Sequence, residues 1–245
     1  MKTTLGLAGH SYELTRLFAK AAWTGDPASA RDIEDVLVAM APPKARDQLL
    51  ETLRHAPALA DVAERRPLLP PGFGADQLEH CGPGTLGEAY VRSMRALDPM
   101  PEPLPGWGET DHLANFRRRV MEAHDIWDVI ADCPADIEGE LGVIGFYFGH
   151  FARYLTGSTA VYNVVLGMNL AAGLLYISRT EPRRLLPIVT RVLRNVYRGY
   201  LSTPLFSTQW EPMWDQPGAP LQDELLRGSL GHTTLAANGP RPLYH

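Results

Sequence analysis

The chain has 245 residues, with 23 lysines and arginines against 28 aspartates and glutamates, a formal charge of −5. That balance argues against a nucleic-acid binder, which presents a basic face, and a hydrophobic share of 45% argues against wholesale disorder. The two cysteines, Cys81 and Cys133, have no partner spacing, which rules out a disulfide framework and a Cys-based zinc site on the sequence pattern.

In chain order the pattern is helical almost throughout. The start reaches polar His10 and Glu13 before an apolar region forms, so no export signal is expected. The protein is therefore expected in the cytoplasm, with peripheral contact at a membrane as a second expectation. Tyr12, Leu14, Leu17, Phe18 and Ala21 recur at helical spacing, and Gly25-Asp26-Pro27 stops that element. Ala28 to Met40 predicts a second helix with Ile33, Val36, Leu37 and Met40 on one side, and Pro42-Pro43 breaks it. Lys44 to His55 predicts a third, with Leu49, Leu50 and Leu53 apolar. A Pro-rich connector over 66–72 follows, then a short helix over Gly84 to Leu97 and a second Pro-rich loop over 98–106. Neither loop is read as a domain boundary, because the pieces before them are small.

Asp111 to Ala131 predicts one helix, with Phe116, Val120, His124 and Trp127 along a stripe. Asp132-Cys133-Pro134 turns the chain, and Pro134 is expected in the first turn of the next helix, about Ala135 to Leu155. Ile137, Leu141, Ile144, Phe148 and Phe151 are expected inward. Gly139, Gly142, Gly145 and Gly149 make a small-residue face, for close approach of another backbone or for a ligand groove. Thr159 to Ile177 is long and apolar enough to pose a membrane question. Asn163 and Asn169 are costly in lipid, so it is read as a buried helix, with a lipid-facing surface helix as an alternative. Ile188 to Tyr200 places Ile188, Val189, Val192, Leu193 and Val196 on one side and Arg191, Arg194 and Arg198 on the other. The arginines are read as a solvated face, with contact to anionic head groups as the rival. The expectation is an all-α, single-domain multi-helix bundle over 1–245, with an irregular tail at 228–245.

His124 and Asp128 are four apart and project from one helix face, and Asp125 flanks the same edge. In an antiparallel pair the start of the next helix lies beside the end of the first, so Glu140 is a candidate to join them. One imidazole with two or three carboxylates makes a reasonable divalent-metal shell. Residues 125–140 hold six acids and no Lys or Arg, a crowding that either a cation or water relieves. The bland reading is a satisfied core histidine beside solvated helix caps. His150 lies ten residues from Glu140, about 15 Å along a helix, which argues against shared coordination. Neither a nucleophile elbow nor a phosphate loop occurs.

His124-Asp125-Ile126-Trp127-Asp128, eleven residues, then Glu140 resembles the His-Asp-x-x-His, eleven residues, Glu signature of the Coq-four family, the ubiquinone (coenzyme Q) biosynthesis proteins. Glu64-Arg65-Arg66-Pro67, Gly84-Thr85-Leu86-Gly87-Glu88-Ala89-Tyr90, Trp210-Glu211 and Leu221-Gln222-Asp223-Glu224-Leu225 resemble further family segments in the same order, so the resemblance covers about residues 28 to 227. It implies an all-α fold, a homodimer, and a divalent metal at His124, Asp125, Asp128 and Glu140. It also implies binding of a prenyl lipid or quinone precursor, and association with other quinone-biosynthesis enzymes. The implied chemistry is metal-assisted, oxidative or simple, decarboxylation of a polyprenylated or substituted aromatic acid, with His124 and Asp125 as catalytic residues. The alternative it implies is a non-catalytic lipid-binding scaffold. On the same resemblance Phe116, Val120, Met121, Trp127, Ile144, Tyr147 and Phe148 are the candidates to line a prenyl site, with Phe151 and Tyr154 beyond them.

Two positions depart from the family pattern. Asp128 stands for the second His, which makes the site harder and shifts preference from zinc toward magnesium, manganese or iron. Glu88 stands where the family has Arg. His124-Asp125 on a helix also admits an HD-type phosphohydrolase, but the upstream metal His and distal Asp that such an enzyme needs are not assignable.

Overall fold

The computed structural model describes residues 7–40, 44, 47–48, 51–52, 75–96, 123–134, 136–154 and 160–226. Among them the regular structure is helical, with one isolated antiparallel bridge between Thr85 and Pro217 and no strand. The α-helices are α1 (Leu7–Thr24), α2 (Pro27–Met40), α3 (Leu86–Ala96), α4 (123–131), α5 (Ile137–Tyr154), α6 (Ala160–Thr180), α7 (Leu185–Leu201) and α8 (Gly218–Leu226). Short 3-10 turns occur at Ala75–Leu78, Pro182–Arg184, Leu205–Ser207 and Glu211–Met213. Of the expected third helix, residues 44, 47, 48, 51 and 52 are described, and they are helical. The Pro-rich segments, the first part of the expected helix from Asp111, and the tail lie outside the described residues.

Each break has a local cause. Gly25 ends α1 at φ 68°, donating its N–H to Ala21 O, a conformation that glycine adopts without strain. Asp132 ends α4 at φ 56°, with Cys133 N–H on Asp128 O at 2.8 Å and Asp132 N–H on Val129 O, the paired bonds of a Schellman cap. Asp136 then opens α5 as its N-cap, accepting the N–H of Gly139 at 2.9 Å. Pro134 therefore lies before the helix, not in its first turn as expected. Its carbonyl takes the Asp136 N–H and closes on Gly139 so tightly that a Cβ there would collide with it.

α5 is the centre of the bundle. The stripe expected to face inward is only part of its buried surface: Ile137, Ile144 and Phe148 are half-buried, whereas Val143, Phe146, Tyr147 and His150 are buried on another side. The reason is that α4, α6 and α7 surround it, so no single stripe is the inner one. At Gly145 and Gly149 its glycine face meets another backbone. A Cβ at Gly145 would stand 2.5 Å from Val192 O, one at Gly149 would collide with Val196 O, and Gly199 of α7 is pressed reciprocally on Phe146 O. The two helices approach at these positions as closely as main chains can.

The largest core cluster joins α3, α4, α5, α8 and the 205–214 turns, through Leu86, Trp127, Phe146, Phe151, Phe206 and Trp210. A smaller cluster holds α1 and α2 to α6 through Leu17, Ala21, Ile33 and Ala172. α6 is not the buried helix expected: Tyr162, Val165, Ala172 and Ile177 are buried, while Val164 and Leu175 are each 50% exposed. No helix among the described residues is long and apolar enough to cross a membrane.

α7 divides differently from its sequence pattern. Ile188, Val192, Asn195 and Gly199 are buried, but Leu193 is 64% exposed. Arg191 and Arg198 turn inward and do not form a solvated face. Their guanidinium groups donate to Asp132 O and Ala131 O, the open carbonyls at the end of α4.

Candidate metal centre

The site is built on α4, whose position is fixed from its C-terminal end. Besides Arg191 and Arg198, the Gln222 amide of α8 donates to Val129 O and Ile130 O, both at 2.9 Å. Three side chains from two later helices thus cover the carbonyls at the end of α4, of which Val129 O also takes the Asp132 N–H.

On this anchored helix His124 Nδ1 lies 3.2 Å from Asp128 Oδ2 and 3.6 Å from Asp125 Oδ1. Ligand atoms of these three residues all fall within 4.8 Å of one another. Asp125 and Asp128 are buried, and His124 keeps a quarter of its side chain open. Glu140, on the first turn of α5, is not in this close set. It nonetheless acts on the Tyr147 hydroxyl, as do Asp125 and Asp128, so its charge belongs to the same neighbourhood.

The electrostatics follow from burial. Burial opposes charge on His124, but Tyr147, Asp128 and Asp125 more than offset it, and its pKa stands well above the ordinary imidazole value. Burial raises the Asp128 pKa, with His124 working against the rise and Asp125 adding to it. Burial also pushes the Tyr90 hydroxyl up to about 12, with Asp125 contributing, and raises Tyr147 further. Both phenols stay protonated near neutral pH and are hydrogen-bond donors. Tyr90 was not singled out as a site residue from sequence; the signal was the tyrosine that closes the Gly84–Tyr90 segment.

The donor set fits a divalent cation. Two buried carboxylates beside one imidazole require compensating positive charge. Asp128 Oδ1 is buried with no hydrogen-bond partner, an acceptor aimed at nothing in the protein. The acid crowding itself is partly relieved in another way. Glu138 is bound by Arg191 at 2.9 Å and Arg184 at 3.1 Å, and its pKa is held low chiefly by the Arg184 hydrogen bond. Those cations come from beyond the acid-rich stretch, which the count over 125–140 did not include.

Asp128 also lines a cavity of about 620 Å³, together with Thr85, Glu88, Arg92, Ser93 and Gln222. Glu88 pairs there with Arg92 at 3.5 Å. Of the expected lipid-lining residues, the described ones lie in different parts of the bundle. Trp127 and Tyr147 pack in the main core, their rings tilted with centroids 4.9 Å apart. Ile144 packs instead with the cluster of Leu141, Ile177 and Ile188, and the Phe148 ring lies beside Gly167 of α6. Phe116, Val120 and Met121 lie outside the described residues. His150 stays apart from the ligand cluster, as its spacing predicted, enclosed by Trp127, Phe146, Tyr154 and Phe206.

Residues 18–227 match the family model described as coenzyme Q (ubiquinone) biosynthesis protein Coq4. The chain is 25% identical over 186 residues to the mitochondrial ubiquinone biosynthesis protein COQ4 of Laccaria bicolor, covering 74% of this chain and 57% of that protein. It is 24% identical over 228 residues to the protein of the same description from Saccharomyces cerevisiae, covering 88% of this chain and 62% of the other. This chain therefore spans about three fifths of the length of these relatives. A crystal structure from Nostoc punctiforme, of a protein named for ubiquinone biosynthesis, superposes with a TM-score of 0.68 at 23% identity, over 92% of this chain and all of the other. That likeness is one of fold.

Proposed function

The chain belongs to the Coq4 family of coenzyme Q (ubiquinone) biosynthesis proteins, and from that premise we propose that it acts in quinone biosynthesis as a metal-assisted decarboxylase of a substituted aromatic acid. The observation that carries the reading is the convergence of His124 with buried Asp125 and Asp128, of which Asp128 has an unsatisfied Oδ1 and lines a 620 Å³ cavity. His124 and Asp128 would hold a divalent metal, with Asp125 as a further ligand or as the group that orients the imidazole, and Glu140 as the candidate fourth. Magnesium, manganese or iron suit this carboxylate-rich set better than zinc does. When bound, the metal supplies Lewis-acid polarisation of a carboxylate or phenol oxygen.

The chain's own residues supply the rest. The Tyr147 hydroxyl, buried and without a partner, stays protonated and donates to a ligand oxygen. Asp125, 3.6 Å from His124 Nδ1, would help to orient the imidazole. Thr85, Ser93 and the Glu88–Arg92 pair present hydroxyl and paired charges to the substrate's ring substituents. Because Glu88 neutralises Arg92, this wall suits an uncharged or hydroxylated ring edge better than a second anionic group.

The test is metal analysis and product assay on the purified protein with His124→Ala and Glu140→Ala. Loss of one equivalent of bound metal, and of turnover by at least about 100-fold, is expected in His124→Ala. Unchanged metal content and unchanged turnover in both variants sink the reading. A second reading, a prenyl-lipid-binding scaffold that recruits other enzymes and acts as a homodimer, is favoured by the apolar groups left open on α7. Leu186, Leu193 and Tyr197 are 74%, 64% and 64% exposed. Lipid co-purifying with the protein, together with no turnover of any aromatic acid, decides for it.

A further inference from the structure

We propose that His80, Cys81 and Asp215 form a second divalent-cation site of zinc type, separate from the His124 centre, which clips the turn before α3 to the loop that precedes α8. Ligand atoms of these three residues lie within 4.8 Å of one another, and none of them belongs to the α4 cluster.

The convergence is built by the backbone. Gly87 N–H bonds Trp214 O at 2.9 Å, Leu86 N–H bonds Gln216 O at 3.0 Å, and Gly218 N–H bonds Gly84 O at 2.8 Å. This short ladder fixes residue 215 beside the start of α3. Cys81 is placed from the other direction. Its N–H bonds Leu78 O, and its sulfur lies over Gly87, where any Cβ would strike it. The thiol is buried, while His80 and Asp215 are exposed and free to adjust. Sequence spacing argues against a Cys-based zinc site because it shows only donors that are neighbours in the chain. Here the third donor arrives from a distant loop.

The chemistry and the distances agree. A thiolate, an imidazole and a carboxylate are zinc's preferred donor types, and three of them leave the fourth position to water. Tetrahedral bonds of about 2.3 Å to sulfur and about 2.0 Å to nitrogen put those atoms about 3.5 Å apart. Cys81 Sγ and His80 Nε2 are 4.0 Å apart, so a shift of the exposed imidazole by about 0.5 Å closes the site. The Asp215 carboxylate stands beside the thiol. On binding, the thiol proton leaves for solvent and the sulfur takes the cation. The clipped segments include Gly84, Thr85 and Gly218, which line the cavity beside Asp128, so the ion would hold that wall.

Cobalt titrated into the full chain tests this. A sulfur-to-cobalt charge-transfer absorption at one equivalent is expected, absent in Cys81→Ser and retained in Cys133→Ser and His124→Ala. The His124 centre contains no sulfur and gives only ligand-field bands, so the two sites are told apart. Because Cys81 is buried, His80→Ala and Asp215→Ala serve as surface variants. Each should weaken cobalt binding at this site by at least about tenfold, with far-ultraviolet circular dichroism unchanged. Three outcomes overturn the proposal: no thiolate band in the natural chain, a band that survives Cys81→Ser, or equal affinity in both surface variants.

Discussion

His150 shows how much one side chain's chemistry depends on its neighbours. The Ser202 hydroxyl donates to Gly199 O at 2.7 Å, so toward His150 it accepts, and Nδ1 at 2.8 Å must carry the proton. Nε2 is then a buried lone pair with no donor. Aromatic rings enclose the imidazole, with Phe206 at 4.5 Å and Trp127 at 4.9 Å between centroids. Burial pulls its pKa down to about 3, with Arg153 adding and a Gly199 hydrogen bond opposing. The folded value lies below the unfolded one of about 6.5. The neutral ring therefore contributes stability that is fully present above pH 6.5 and is lost as pH falls toward 3. Between pH 7 and pH 5 this one group should lower unfolding free energy by about 2 kcal/mol. Urea midpoints at the two pH values measure it. In His150→Phe the difference should shrink by that amount, and an equal pH dependence in the variant would refute the assignment. In the sequence His150 was legible only as a histidine too far along its helix to join the metal ligands. Its aromatic enclosure depends on Phe206, far along the chain.

At the scale of elements, the α5–α7 contact is a main-chain approach. Gly149→Ala would drive a Cβ into Val196 O, and since backbone cannot step aside locally, about 1–3 kcal/mol or more of destabilisation is expected. Gly142→Ala meets side-chain atoms at 3.1–3.2 Å, on Arg191, Asn195 and Cys133, which can give way. It should cost well under half as much in thermal or denaturant unfolding. Equal losses would mean that the helices are not held at the spacing described. The end of α4 invites a separate test. Gln222→Ala strips a donor from the carbonyls of Val129 and Ile130, which should cost about 1–3 kcal/mol in denaturant unfolding and loosen the helix that carries His124. The glycine stripe itself was legible from sequence, because a repeat of small residues is local. Its partner was not. Arg194 is exposed as expected, but Arg191 and Arg198 were misplaced for a related reason: a helical wheel shows which residues share a face, not which distant carbonyls lie within a guanidinium's reach.

For the whole molecule, the apolar clusters among the described residues are unequal, and α1–α2 rests on one of the two small ones. Arg179 of α6 strengthens that attachment, donating to Ala22 O at 2.8 Å and Trp23 O at 3.0 Å while lying 3.8 Å above the Trp23 ring. Its loss should cost about 1 kcal/mol of local stability. Amide hydrogen exchange in α1 should then accelerate about fivefold in Arg179→Ala, with α5 and α7 unaffected. Uniform acceleration across all helices would show that this unit opens only with the whole.

The helical class, most of the helix boundaries and the grouping of His124, Asp125 and Asp128 are written locally, because helical period, proline and glycine breaks and an i, i+4 spacing act within a few residues. Glu140 lies across a turn, where its reach depends on how α4 and α5 cross. The tertiary structure alone decided that it stays outside the close cluster. It alone also brought Arg184 and Arg191 to Glu138, α7 to the glycine face of α5, and Asp215 to Cys81. Each of those pairs joins segments far apart in the chain, and their meeting is set by the packing of whole helices, which no local pattern encodes.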